Sequence, residues 1–191
     1  MILYFQKLSL KTRFIGVLVS FFLVFCAYYA FSSTPWLLVQ LKQYSPEHGM
    51  PDQLWWYTPA ELHTILGAWG VVGRDFYRTV LFPCDAVFPL LYNGFLLLTQ
   101  LYLFKKINPR SGWWYLLCML PLLGCVADLG ENLGVLTSSL LYPDRWDTLG
   151  WITGGMTTAK WTLLVANLCI IGALLVWHWA QRIRLLLSPD R

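Results

Sequence analysis

The chain has 191 residues and a formal net charge of +4, with 57% hydrophobic and 13% charged residues, against roughly 45–50% and 25% in soluble domains. That composition excludes an ordinary soluble fold, and no nucleotide-binding loop, metal-ligand quartet or catalytic triad names a reaction. Only Asp85, Asp128, Glu131 and Lys160 place a charge inside the four long apolar runs at 14–31, 79–104, 113–142 and 151–180.

Each run is close to or above the roughly 20 residues a helix needs to cross the hydrocarbon core, and helices are the choice that leaves no backbone group unsatisfied in lipid. The first run follows Lys7, Lys11 and Arg13. Its basic start resembles a signal peptide, but its apolar stretch exceeds the roughly 7–15 residues of an h-region. Tyr28-Tyr29-Ala30 is also a poor cleavage site, so a retained span is expected. The 32–78 connection begins with a polar stretch from Gln43 to Gln53 and then predicts a helix. Thr58 is placed as N-cap, Pro59 at the first helical position and Glu61 where a capping box wants an acid. Leu62, Ile65, Leu66, Trp69 and Phe76 form its apolar stripe, with Glu61, His63, Arg74, Asp75 and Arg78 as the polar positions. Such an amphipathic helix is expected in the interface, feeding into the second span.

The short connections at 105–112 and 143–150 make spans two, three and four antiparallel neighbours, with Pro83, Pro89 and Pro121 as kink sites. The expected fold is all-α: one membrane domain, 1–191, built as an integral membrane four-helix bundle with an additional interfacial amphipathic helix on the extracytoplasmic side. Lys7, Lys11, Arg13, Lys105, Lys106, Arg110, Arg182, Arg184 and Arg191 outnumber Lys42, Arg74, Arg78 and Arg145. By the positive-inside bias both termini are expected in the cytoplasm, in a bacterial inner membrane. Trp113, Trp114, Trp177 and Trp179 on one side, and Trp55, Trp56 and Trp151 on the other, fit the interfaces. The five cysteines are odd in number, lack a CxxC pair and read as small apolar residues. The net charge is explained by the flanks, so nucleic acid is not implied.

The chemistry rests on the intramembrane charges, each of which costs about 2.5–3.5 kcal/mol at a helix centre on the insertion scale. At about 1.5 Å per residue, Asp85, Lys160 and Glu131 lie roughly 9, 14 and 16 Å from the outer ends of their helices. One cluster is therefore expected. Asp128, Glu131 and Asn132 share a helix face at i, i+3 and i+4, as do Asp85 with Tyr92 and Lys160 with Asn167, while Gly130, Gly134, Gly154 and Gly155 permit close approach. Three carboxylates against one ammonium leave an excess of negative charge. Either a carboxyl keeps its proton, or Arg74 and Arg78 fold in, or a cation or cationic ligand is held. Oxygen ligation suits Mg²⁺ or Ca²⁺ better than Zn²⁺, and no metal site is assigned.

The set Gly73-Arg74-Asp75-x-Tyr77, Asp85-x-x-x-Pro89-x-x-Tyr92, Asp128-x-x-Glu131-Asn132 and Thr158-Ala159-Lys160-Trp161 resembles a family of small bacterial four-span membrane proteins. The resemblance covers roughly residues 55–180; it implies that these positions belong together and implies no activity.

The expected ligand-binding residues are Asp85, Tyr92, Asn93, Asp128, Glu131, Asn132 and Lys160, with Arg74 and Arg78. The expected partners are the bilayer and a small polar ligand, a cation or a lipid headgroup. The alternatives are a membrane enzyme using the acid pair on a lipid, an accessory subunit of a larger membrane complex, and a purely structural ion pair fixing helix register. No cofactor or catalytic residue is assigned.

Overall fold

The computed structural model describes residues 1–33, 43–44 and 49–187, and these are helical wherever regular structure forms. The chain opens with helix α1 (Ile2–Lys11), which turns by 94° into α2 (Phe14–Ser33). The break falls at Thr12, whose backbone is extended and whose hydroxyl donates to the Leu8 carbonyl at 3.0 Å. Lys105 donates to the Leu10 and Thr12 carbonyls at 2.9 and 3.2 Å, so a cation satisfies the carbonyls at the end of α1. The sequence reading treats residues 1–13 only as a basic flank. In the structure they form a helix that buries Phe5 and Ser9.

After a 3-10 turn at Pro51–Gln53 comes α3 (Pro59–Ala68). The capping box is present: Glu61 N–H donates to Thr58 Oγ1 at 3.3 Å, and Thr58 N–H donates to the Glu61 carboxylate at 2.7 Å. These bonds hold the Glu61 carboxyl below its ordinary value. Leu62, Ile65, Leu66 and Trp69 are buried, as the apolar stripe requires. Gly70, with φ +63°, redirects the chain into α4 (Gly70–Phe76), because a left-handed backbone suits a residue without Cβ.

From Gly70 the helix runs almost unbroken to Ile107. It contains a π turn at Tyr77–Leu81, the short α5 (Phe82–Asp85), and α6 (Phe88–Ile107), with a break at Ala86 and Val87 where Pro83 and Pro89 remove backbone donors. The 3-10 stretch Gly112–Cys118 leads into α7 (Met119–Leu141), and α8 (Asp147–Leu187) has 41 residues. Gly70–Ile107, Gly112–Leu141 and Asp147–Arg184 are each long and apolar enough to cross a membrane, and α1 with α2 makes a fourth if that bent pair is one span.

α6, α7 and α8 pack against one another, α2 against α6, and α3 against α8. Gly134 lets α7 approach α8 so closely that a Cβ there would collide with the Thr153 side chain. Two apolar cores result. One gathers Tyr57, Leu62, Leu66, Trp69, Tyr77, Leu81 and Val135; the other gathers Phe5, Leu101, Phe104, Tyr115, Cys118 and Leu174. Along Gly112–Leu141, Asp128 and Glu131 fall between Cys118 of the second core and Val135 of the first.

Candidate functional site

Helical spacing sets the first part of the site. Asp128, Glu131 and Asn132 lie on the inner face of α7, with 6%, 0% and 2% of their surfaces exposed. Lys160 faces them from α8, its ammonium 2.5 Å from Glu131 Oε2 and 3.7 Å from Asp128 Oδ1. Tyr92 on α6 donates its hydroxyl proton to Asp128 Oδ2 at 2.8 Å. Three helices thus meet in one chain of contacts, Tyr92 to Asp128 to Lys160 to Glu131. Burial demands this pairing, because an isolated charge so far from water would be neutralised or expelled.

Asp85 is placed beside this chain by α5. It is buried, at 6% exposure, and has no hydrogen bond or ion pair with any described residue. The fourth carboxylate is Asp52, which the sequence reading passes over as part of a polar loop. The Asp52 carbonyl accepts from Trp161 Nε1 at 3.1 Å and from Lys160 Nζ at 3.5 Å. Thr158 Oγ1 donates to the Trp55 carbonyl at 3.1 Å, and the Trp55 and Trp161 rings stack with centroids 6.3 Å apart. Gly154 makes this docking sterically possible, since a Cβ there would strike the Tyr57 carbonyl oxygen. Asp52 Oδ1 ends buried with no hydrogen-bond partner. Burial raises the Asp52 carboxyl above its ordinary value; Lys160 opposes that rise and Asp128 adds to it.

The result is an open cleft of about 280 Å³. Asp52, Asp85 and Asp128 supply its acid, Lys160 its base, Phe88, Tyr92 and Trp161 its rings, and Leu164 its apolar edge. Glu131 lies behind Lys160. Counting it, four carboxylates face one ammonium. Among the described residues, no three His, Cys, Asp or Glu side chains are placed to hold one metal ion together. Three of the four acids line one volume.

Several expected site residues lie elsewhere. Arg74 Nη1 donates to the Leu66 carbonyl at 2.8 Å and its guanidinium sits 3.9 Å from the centre of the Tyr142 ring. Arg78 Nε donates to Ser139 Oγ at 3.0 Å, and its Nη2 donates to the Ser139 carbonyl. Neither pairs with an acid among the described residues, so of the three ways to offset the excess negative charge the folding-in of Arg74 and Arg78 is not the one seen. Each satisfies a carbonyl near a helix C-terminus, where cations are favoured. Asn93 bonds back to the Pro89 carbonyl at 2.9 Å and fills the seam against Gly124. Asn132 is buried with its Nδ2 unpartnered, and neither asparagine lines the cleft. Deeper in the protein, Gln100 Nε2 donates to Asn167 Oδ1 at 2.7 Å and ties α6 to α8.

Fold and site together define a small helical protein with apolar helices of membrane-crossing length and a buried Asp/Glu/Lys cluster. No protein family, curated protein or solved structure matches the chain, so no residue role is carried over from a relative.

Proposed function

We propose that this is an integral protein of the bacterial inner membrane that binds a positively charged ligand in the acidic cleft. The spans form a four-helix bundle with both termini in the cytoplasm, and α3 and α4 lie at the extracytoplasmic interface. The distribution of Lys and Arg along the sequence supports that orientation. Lys160 compensates Glu131 and Asp128, and the excess acid on Asp52 and Asp85 is what the ligand neutralises. The observation that carries the reading is Asp85, a buried residue whose carboxylate has no partner among the described residues and lines a space with two further acids.

The test compares charge sign at constant size. Purified protein in a nonionic detergent is titrated with butylammonium or with butyrate at matched ionic strength, followed by thermal unfolding. Butylammonium is expected to raise Tm in the wild type, with the rise lost in Asp85→Asn. Stabilisation by butyrate in place of butylammonium, or an equal effect in Asp85→Asn, refutes the reading.

A further inference from the structure

The shape of the cleft narrows the class of cation. Its volume of about 280 Å³ is at the small end of ligand pockets, which run roughly 300–1,000 Å³. It has room for a headgroup and little beyond. Asp52 forms its roof, with the 52–55 segment held by Thr158, Lys160 and Trp161. Asp85, Asp128 and Lys160 form its polar wall, and its apolar edge is Phe88 and Leu164. Around that edge the chain presents exposed apolar side chains: Val87 at 50% just before α6, Leu90 at 56% on α6, and Val165 at 45% and Leu168 at 54% on α8. In spanning helices such surfaces meet acyl chains. Leu164, Leu168 and Leu175 also recur at i, i+4 and i+11, drawing an apolar lane along one face of α8 from the cleft toward the C-terminal end. Leu175 is 41% exposed.

Two independent features of the cleft point to an ammonium group. Asp85 is more than nine-tenths buried, has no partner among the described residues and lines the space. The cleft is also lined by the rings of Phe88, Tyr92 and Trp161, and aromatic rings attract organic cations as carboxylates do. Trp161 already lies 5.5 Å from the Lys160 ammonium, measured to its ring.

We propose that the ligand is an ammonium group carried on an apolar tail: the charged end enters the cleft sideways from the membrane, between Asp52 and Asp85, and the tail lies along Leu164 and Leu168. This rests on the cation reading above and adds the tail and the lateral route. The ammonium has two sources, the headgroup of an aminophospholipid or a diffusible amphiphilic amine.

Native mass spectrometry of the full chain in nanodiscs tests both. In discs of equal phosphatidylethanolamine, phosphatidylcholine and phosphatidylglycerol, a lipid source retains phosphatidylethanolamine about tenfold over phosphatidylglycerol. In phosphatidylglycerol discs titrated with octylamine or propylamine, a diffusible source shows saturable octylamine binding, about tenfold tighter than propylamine at equal membrane mole fraction. Either result supports the proposal, and Asp85→Asn weakens the retained species about tenfold. Leu164→Phe, which narrows the lane and leaves every charge in place, weakens octylamine and spares propylamine. Equal binding of the two amines overturns the tail and the lateral route and leaves the cation reading standing. No binding of any amine, with no enrichment of phosphatidylethanolamine, overturns both.

Discussion

Replacing Lys160 by Met removes the one cation of the cluster while nearly preserving the volume of its stem. In the wild type its ammonium stands 2.5 Å from Glu131 and 3.7 Å from Asp128, and Glu131 has no exposed surface. Breaking a buried pair from one side strands the other charge, at a cost of about 3–5 kcal/mol. A protein of this length loses about 2–4 °C of Tm per kcal/mol, so the variant is expected to melt roughly 6–20 °C lower. Neutralising the stranded partner reverses most of that loss. The double variant Lys160→Met with Glu131→Gln therefore melts above Lys160→Met alone, with a coupling energy of about 2–3 kcal/mol at the upper end of what contacting residues show. The assay is equilibrium unfolding in mixed micelles across the four-protein cycle, with helicity followed by circular dichroism. Additive effects of the two substitutions would refute the argument, because they would mean that Lys160 and Glu131 do not share one electrostatic account.

Three further outcomes are expected. Asp52→Asn separates the roof's charge from its backbone bonds: the folded state favours the protonated carboxyl, so no penalty exists below its ordinary value of 3.8, and the penalty grows as pH rises through the raised value. Thermal unfolding of wild type and Asp52→Asn over a pH series should show the variant's advantage widening with pH, and a bound cation should release a proton over the same window. Gly154→Ala forces a methyl into the Tyr57 carbonyl and is expected to cost about 1–3 kcal/mol; it should also raise the rate of proteolysis in the 50–57 segment, read by limited digestion. Arg78→Met removes two charged donors from Ser139, lowering stability by about 1.5–3 kcal/mol, while ammonium binding in the nanodisc assay stays unchanged because Arg78 is not in the cleft.

Different physics explains what could be read from the sequence and what could not. The long apolar helices are legible because lipid imposes a length on them, and the α3 start because a capping box needs particular side chains at fixed spacing. Asp85, Asp128, Glu131 and Lys160 are legible because charge in an apolar run is costly enough to stand out. Asp52 is not: an acid beside Pro51 in a polar loop is ordinary, and its burial arises only when Trp161 and Thr158 of a distant helix capture the loop's carbonyls. Arg74 and Arg78 mislead for the opposite reason. They look like charges in need of acids, yet the nearby helix ends offer free carbonyls, which a guanidinium satisfies without an acid. Helix α1 is hidden because its lysines read as a flank, although Phe5 and Ser9 are spaced one turn apart and buried together. Gly67, Gly70 and Gly73 all interrupt the interfacial stripe in the sequence, and only the positive φ of Gly70 singles it out as the break.

The composition of the cluster also weighs against a purely structural role. Fixing the register of α7 against α8 needs one carboxylate for Lys160, and Glu131 at 2.5 Å supplies it. Asp128 joins the pair and is further held by Tyr92, so it too is accounted for within the protein. Asp85 and Asp52 are met less fully: the first has no hydrogen bond or ion pair with a described residue, and the second, though backbone N–H groups of residues 52 and 53 lie at its carboxyl, keeps one buried oxygen without a hydrogen-bond partner. Keeping such groups costs stability, and natural cores rarely leave that cost unmet. Both groups line the same volume, together with the rings of Phe88, Tyr92 and Trp161. On the proposed reading a cation there would satisfy them together, and the cost of keeping them would return as affinity for it.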